Sequence, residues 1–155
     1  MERSIKVRRF EDSDQERVGQ IEGAALRELT PFSSLRLFYE ITPYGFIVAE
    51  FDGILVGFLV ANERRASDGG SEGHILSIAV DPKYRRKGIG AALVANIIDT
   101  VRRMSIKKVT IEVKVNNRPA IEFYKHLGFE ESPILKRYYR MRGFTEDALV
   151  MSKRI

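Results

Sequence analysis

Residues 83–91 run Lys83-Tyr84-Arg85-Arg86-Lys87-Gly88-Ile89-Gly90-Ala91, and the apolar spacing that follows is helical. A helix start leaves backbone N–H groups without carbonyl partners and carries about half a positive charge. Glycine there lets an anion approach the main chain closely, and three cations deepen the electrostatic well. The chemistry such a segment serves is the holding of a diphosphate. A basic run alone is more simply a solvated loop; the coincidence of Arg85, Arg86 and Lys87 with Gly88 and Gly90 points to a ligand. A Walker loop places its lysine after the glycines, whereas Lys87 precedes them. A dinucleotide loop requires Gly-x-Gly-x-x-Gly directly after a strand, and here Leu93 occupies the third glycine position. Glu112 does follow at about twenty residues, where such a site holds its ribose ligand, so a dinucleotide is the competing reading.

Groups able to move protons are few. Glu112 is an acid on an otherwise apolar segment, and the plain alternative is a solvent-facing strand residue between Thr110 and Lys114. Tyr124 offers a phenol, or simply a core aromatic beside Ala120, Phe123 and Leu127. His74 and His126 are the two histidines, and no cysteine is present. That removes disulfides, thiolate nucleophiles and Cys-type zinc sites, and leaves too few ligands for a multi-His centre, so no metal is expected.

The chain has 155 residues, with 26 Lys+Arg against 21 Asp+Glu, a net charge of +5. This predicts one folded domain with ample apolar residue to bury. The longest apolar run, residues 54–61, is far short of the ~20 residues a membrane span needs. The start, Met1-Glu2-Arg3-Ser4-Ile5-Lys6, lacks the apolar stretch of a secretory signal. A cytoplasmic protein without membrane or nucleic-acid partner is expected.

The elements that must position these groups follow from periodicity. Ile5-Lys6-Val7-Arg8 alternates as a first strand. Asp12 or Ser13 caps a helix carrying Val18, Ile21, Ala25 and Leu29, which Pro31 ends. Leu35, Leu37, Phe38 and Ile41 mark a second short helix. Apolar runs at 46–49 and 54–60 flank Asp52-Gly53, a hairpin signal. Residues 74–80 form a strand apolar on both faces, expected to be buried. Residues 88–104 form a helix with Ile89, Leu93, Ile97 and Val101 on one stripe, and Val94 and Ile98 beside it. Residues 109–115 alternate as a strand. Residues 119–127 form a short helix with Asn117 as cap, Pro119 in its first turn and Gly128 as terminator. Two further strands are placed near 134–138 and 147–152. The order β-α-α-β-β-β-α-β-α-β-β specifies an α/β fold with a mixed sheet and helices packed on it.

Arg85-x-x-Gly88-x-Gly90 resembles the Gln/Arg-x-x-Gly-x-Gly/Ala signature of the GCN5-related N-acetyltransferases (GNAT), which bind the diphosphate of acetyl-coenzyme A at this loop. Residues 112–129, Glu-Val-Lys-Val-Asn-Asn-Arg-Pro-Ala-Ile-Glu-Phe-Tyr-Lys-His-Leu-Gly-Phe, resemble the second half of the same motif set. Gly73-His74-x-x-Ser77-Ile78-Ala79-Val80 and the tail from Tyr138-Tyr139 to Glu146-Asp147-Ala148-Leu149-Val150-Met151 are most similar to the protein N-terminal acetyltransferases, both the ribosomal-protein alanine type and the A-type catalytic subunits. The resemblance implies the GNAT fold, α/β with six or seven strands in a mixed sheet and four flanking helices, as one domain over residues 1–155.

It also implies roles. Glu112 is placed as the general base and Tyr124 as the general acid near the sulfur; ordinary phenol and thiol pKa values, about 10 and 8.5, allow that transfer. His74 occupies the position of a histidine in archaeal members, which either shares base work through a water or is structural. Backbone N–H groups of Ile78, Ala79 and Val80 would hold the pantetheine and polarise the thioester carbonyl. Arg85, Arg86, Lys87, Gly88, Ile89, Gly90 and Ala91 would hold the diphosphate, with Tyr124 near the sulfur. Asn117 contacts the cofactor or orders the turn before its helix. Tyr138 and Tyr139 match a pair that closes over the substrate peptide, and His126 is expected on the solvent side of its helix. One departure stands out: the family's Leu-Pro-Glu-Asn-Tyr loop is replaced by Leu29-Thr30-Pro31-Phe32-Ser33, without its acid, although Glu28 is nearby.

The expected reaction is acetyl transfer from acetyl-coenzyme A to a protein or peptide N-terminal α-amine, directly in a ternary complex because no thiol is available for an acyl-enzyme. Alternatives are a small-molecule amine or lysine as acceptor, or a coenzyme A-binding module without turnover. An auxiliary subunit, ribosome association, and a monomeric or homodimeric state are all compatible with the sequence.

Overall fold

The computed structural model describes residues 4–26, 44–132 and 148–155. In chain order the elements are β1 (Ile5–Arg9), a 3-10 turn (Asp12–Asp14), α1 (Gln15–Leu26), β2 (Phe46–Phe51), β3 (Ile54–Arg65) and β4 (Ser71–Val80). A 3-10 turn (Pro82–Tyr84), α2 (Ile89–Arg103), β5 (Lys108–Lys114), α3 (Arg118–His126), β6 (Glu130–Ser132) and β7 (Ala148–Arg154) complete them. The seven strands follow the hydrogen-bonded order β1-β2-β3-β4-β5-β7-β6. The β4–β5 pair is parallel, and β1–β2, β2–β3, β5–β7 and β6–β7 are antiparallel, so the expected mixed sheet is present. The helix placed at 35–41 and the strand placed at 134–138 lie outside the described residues.

Contacts divide the chain into two compact units, one drawn from Met1–Asn62 and Leu76–Thr100, the other from Glu63–Ile75 and Val101–Ile155. In the first, Phe10, Val18, Ile21, Phe46, Val48, Phe58, Val60 and Ala79 form a buried cluster, with the Phe10 and Phe46 rings stacked at 4.2 Å. Asp52 and Gly53 both take positive φ, 50° and 83°, the conformation a two-residue hairpin turn requires. Gly57 matters for packing: a Cβ there would lie 3.1 Å from the Ala79 carbonyl oxygen and 3.3 Å from Ile89 Cγ2. Its absence lets the start of α2 lie close against β3.

The entry to α1 departs from expectation. Neither Asp12 nor Ser13 caps the helix; the chain makes a 3-10 turn first, and the buried Asp14 carboxylate accepts the Glu11 N–H at 2.8 Å. Arg8 decides this, because both its terminal nitrogens donate to Asp14, at 2.8 and 2.9 Å, and its Nε donates to Glu50 at 3.1 Å.

In the second unit, all seven residues of β5 pair with β7, from Lys108↔Arg154 to Lys114↔Ala148. Gly73, His74 and Ile75 of β4 pair in parallel with Val109, Thr110 and Ile111 of β5. A Cβ on Gly73 would stand 2.8 Å from Val101 Cγ2, so glycine admits the end of α2 against this strand. β4 starts at Ser71, earlier than expected, and is not apolar on both faces: Glu72 and His74 are buried on one of them, and Leu76, also on it, is 36% exposed.

Candidate active site

The diphosphate loop lies in the first unit. Asp81 ends β4, accepts the Lys83 N–H at 3.0 Å and pairs with Arg17 at 2.8 Å; these donors hold its carboxyl below the usual range. Arg17 also donates to the Leu55 carbonyl, so the turn is tied to β3. Arg85, Arg86 and Lys87 are exposed. Arg86 takes φ 62° and Gly88 φ 82°, bending the chain into α2. The first helical bond runs from the Ala92 N–H to the Gly88 carbonyl, so the N–H groups of Ile89, Gly90 and Ala91 have no intrahelical partner. The nearest atom to a Cβ built on Gly88 is Ile5 Cδ1 at 4.0 Å, so the side of Gly88 where a Cβ would point is uncrowded. Donors and cations therefore suit a diphosphate. Ile78, Ala79 and Val80 continue β4 beyond its ladder to β5, which covers residues 73–75.

The residues expected to move protons, His74, Glu112 and Tyr124, lie in the second unit. His74 and Thr110 face each other in register, and Glu112 stands two residues on, on the same side of β5. His74 Nε2 meets Glu112 Oε2 in a short hydrogen bond. An ionised carboxylate only accepts, so Nε2 carries a proton, and when the ring is neutral its lone pair is on Nδ1. Glu112 Oε1 accepts from Arg64 Nη1 at 3.0 Å. Burial pushes the Glu112 carboxyl up, but the hydrogen bonds and charges of His74 and Arg64 outweigh it and hold the group below the usual carboxylate range. Glu112, the residue expected as base, thus accepts one hydrogen bond at each oxygen, from Arg64 and from His74.

Tyr124 lies on α3, 3% exposed, edge-on to Phe123 at 5.0 Å and Phe129 at 5.4 Å. Burial pushes its phenol well above the ordinary value, so the hydroxyl stays protonated. Asn117 caps α3 by accepting the Ala120 N–H at 3.2 Å, and Gly128 ends the helix at φ 92°. Ordering of the turn, one of Asn117's two expected roles, is present. His126 is exposed. Tyr138, Tyr139 and the loop at 29–33 lie outside the described residues.

Three members of the polar strip were missed from sequence: Arg64, Glu72 and Thr110. The alternation Glu72-x-His74 on one strand and Thr110-x-Glu112 on the next was their signal, since polar residues at period two in apolar strands share a face. Arg64 was hidden in the charged run Glu63-Arg64-Arg65.

The model of the acetyltransferase (GNAT) family matches residues 15–129. An N-alpha-acetyltransferase of Sulfurisphaera tokodaii is 32% identical over 158 residues, covering 97% of this chain and 93% of its own. The crystal structure of Ard1 from Thermoplasma volcanium superposes with a TM-score of 0.84 at 30% identity, covering 97% of both chains. That of the ribosomal-protein-S18-alanine N-acetyltransferase from Escherichia coli gives 0.78 at 26% identity, covering 98% of this chain and 94% of its own.

Proposed function

Because the chain belongs to the GNAT acetyltransferase family, an acetyl-coenzyme A-dependent class, we propose that its acceptor is the α-amine of a protein or peptide N-terminus. The observation that carries this is the His74–Glu112 pair. An α-ammonium has an ordinary pKa near 7.7–8.0 and a lysine about 10.4, against about 6.5 for imidazole. The α-amine is therefore easier to deprotonate than a lysine by roughly 3–4 kcal/mol, whichever base takes the proton, and needs only mild help from one. The full-length similarity to an N-alpha-acetyltransferase supports the same acceptor.

The bound donor supplies the thioester carbonyl that the amine attacks and a thiol as leaving group. The amides of Ile89, Gly90 and Ala91, with Arg85, Arg86 and Lys87, would hold its diphosphate, and 78–80 its pantetheine arm. His74 Nδ1 accepts the amine proton. Glu112 keeps the ring oriented and stabilises the imidazolium as it forms. Tyr124 would hydrogen-bond the departing sulfur and give it a proton, a step that burial of the phenol makes more uphill than for an ordinary tyrosine. With no cysteine in the chain, transfer is direct, in a ternary complex.

The test is mass-spectrometric detection of acetylation on a library of free-N-terminal peptides, N-terminally blocked lysine peptides and polyamines. Acetylation of free N-termini is expected. Transfer confined to blocked lysine peptides or polyamines overturns the assignment.

A further inference from the structure

Arg64, at the end of β3, engages three members of the strip that carries His74 and Glu112. Its Nη1 donates to Glu112 Oε1 at 3.0 Å, and its Nη2 donates to Thr110 Oγ1 at 3.3 Å. The same Nη2 stands 3.7 Å from Glu72 Oε2, within ion-pair range but too far for a hydrogen bond. That Glu72 oxygen is fully buried and has no hydrogen-bond partner. One guanidinium is shared between two carboxylates, and it fully satisfies only the one that faces His74.

We propose that Arg64 is a positioning residue for the base: it fixes Glu112 so that Oε2 presents to His74, and it sets, against Glu72, the charge that the imidazole experiences. The inference rests on the functional reading above, in which His74 takes the amine proton.

Two consequences follow from the geometry. The first is orientation. A carboxylate held at one oxygen by a planar guanidinium cannot rotate freely, so its second oxygen stays on Nε2, and Nδ1 stays available. The second is charge. With both carboxylates ionised, Glu72 and Glu112 carry two negative charges against the single positive charge of Arg64. The strip becomes neutral when His74 takes up a proton, so it stabilises the imidazolium without trapping it. Removing Arg64 leaves two uncompensated carboxylates by the ring, which would hold the proton too long; removing the Glu72 charge works the other way. Among the described residues, the charged groups brought to this pair are Arg64 from β3, Glu72 from β4 and Glu112 from β5, with Lys114 next on that face of β5. The β7 residues opposite Thr110 and Glu112, Ser152 and Val150, are uncharged.

The experiment compares wild type, Arg64→Lys, Arg64→Gln, Glu72→Gln and the Arg64→Gln/Glu72→Gln double variant. Two readouts are taken: kcat and KM against pH with an N-terminal peptide, and the His74 ring signals by NMR titration, assigned with the help of His126→Ala. Arg64→Gln is expected to lower kcat about tenfold. It should move both the acid limb and the His74 titration up by about one pH unit, with KM for acetyl-coenzyme A unchanged. Glu72→Gln moves the limb down, the double variant returns it toward wild type, and Arg64→Lys keeps the limb in place while recovering part of kcat. Thermal melts confirm that each variant is folded. Coincident limbs and His74 titrations across the folded variants overturn the proposal. If wild type acetylates no N-terminal peptide, the functional reading falls, and the NMR titration still decides whether Arg64 controls His74.

Discussion

His74 and Glu112 meet across two parallel strands through Nε2 and Oε2, and the second carboxylate oxygen is taken by Arg64. Each Glu112 oxygen already accepts one hydrogen bond. In the proposed mechanism the pair divides the work: the imidazole takes the amine proton and the carboxylate fixes its tautomer. Exchanging Glu112 for Gln keeps the side chain's shape but removes the charge that stabilises the imidazolium.

Glu112→Gln and His74→Ala should each lower kcat/KM by about 10²-fold or more. Because the two act as one unit, the double variant should be scarcely worse than the poorer single one. Steady-state kinetics on an N-terminal peptide checks this. Full activity in His74→Ala would return the base role to Glu112.

Tyr124→Phe removes one hydroxyl and keeps the ring contacts with Phe123 and Phe129. The melting temperature should hold while kcat falls, by about 10²-fold if the phenol supplies the proton to sulfur. Unchanged kcat with a lowered melting temperature would assign Tyr124 to the core alone.

Much of this architecture was legible in the sequence. The Asp52-Gly53 hairpin, the Ile89/Leu93/Ile97/Val101 stripe and the Asn117–Gly128 brackets of α3 are local signals, set by turn conformation, helical period and capping, and each forms where expected. The start of α1 was not legible, because Arg8, itself paired with Glu50 far along the chain, draws Asp14 into the turn. The site divides in the same way. The diphosphate loop is contiguous and was visible. The proton-transfer strip is assembled from three strands, so its alternating polar residues gave a face but not their partners. Arg64 could be placed beside Glu112 only once β3, β4 and β5 were known to be neighbours.

Asp14 is the group through which acid should loosen the entry to α1. Burial raises its carboxyl, but donors from Arg8 and the Glu11 N–H prevail and hold it below 3.8. A depressed folded-state value contributes stability above the ordinary carboxylate range and loses it as pH falls through the folded value. Asp14→Asn should therefore cost about 1–3 kcal/mol at pH 7, and the difference from wild type should shrink below pH 3.8. Denaturant melts at pH 7 and pH 3 check it.

Glu22 has the opposite sign. It is 2% exposed on α1, one of its oxygens has no hydrogen-bond partner, and burial pushes its carboxyl above 4.5. A raised folded-state value favours the protonated form: its contribution is present below the ordinary carboxylate value and lost as pH rises through the folded one. Glu22→Gln removes the cost of the buried charge and should stabilise the protein by about 1 kcal/mol at pH 7, with the gain vanishing near pH 4. Destabilisation at pH 7 would mean that the carboxylate itself is needed.

Gly53 and Gly88 provide a matched pair for the diphosphate loop. Their φ values are 83° and 82°, so alanine at either position suffers the same backbone strain, about 1–2 kcal/mol. Neither added Cβ meets a crowded neighbour: nothing lies within 4 Å at Gly53, and only Ile5 Cδ1 at 4.0 Å at Gly88. Both variants should therefore fold with similar losses in melting temperature. They should part in function, because the Gly53 turn is remote in sequence from the basic run, whereas Gly88 directly follows it and immediately precedes Ile89, Gly90 and Ala91, whose amides would hold the diphosphate. Gly88→Ala should weaken coenzyme A binding about tenfold, equivalent to about 1.4 kcal/mol, and Gly53→Ala should leave it unchanged. Calorimetric titration of the two variants against wild type measures both. Equal affinities for all three proteins would show that these amides do not grip the diphosphate.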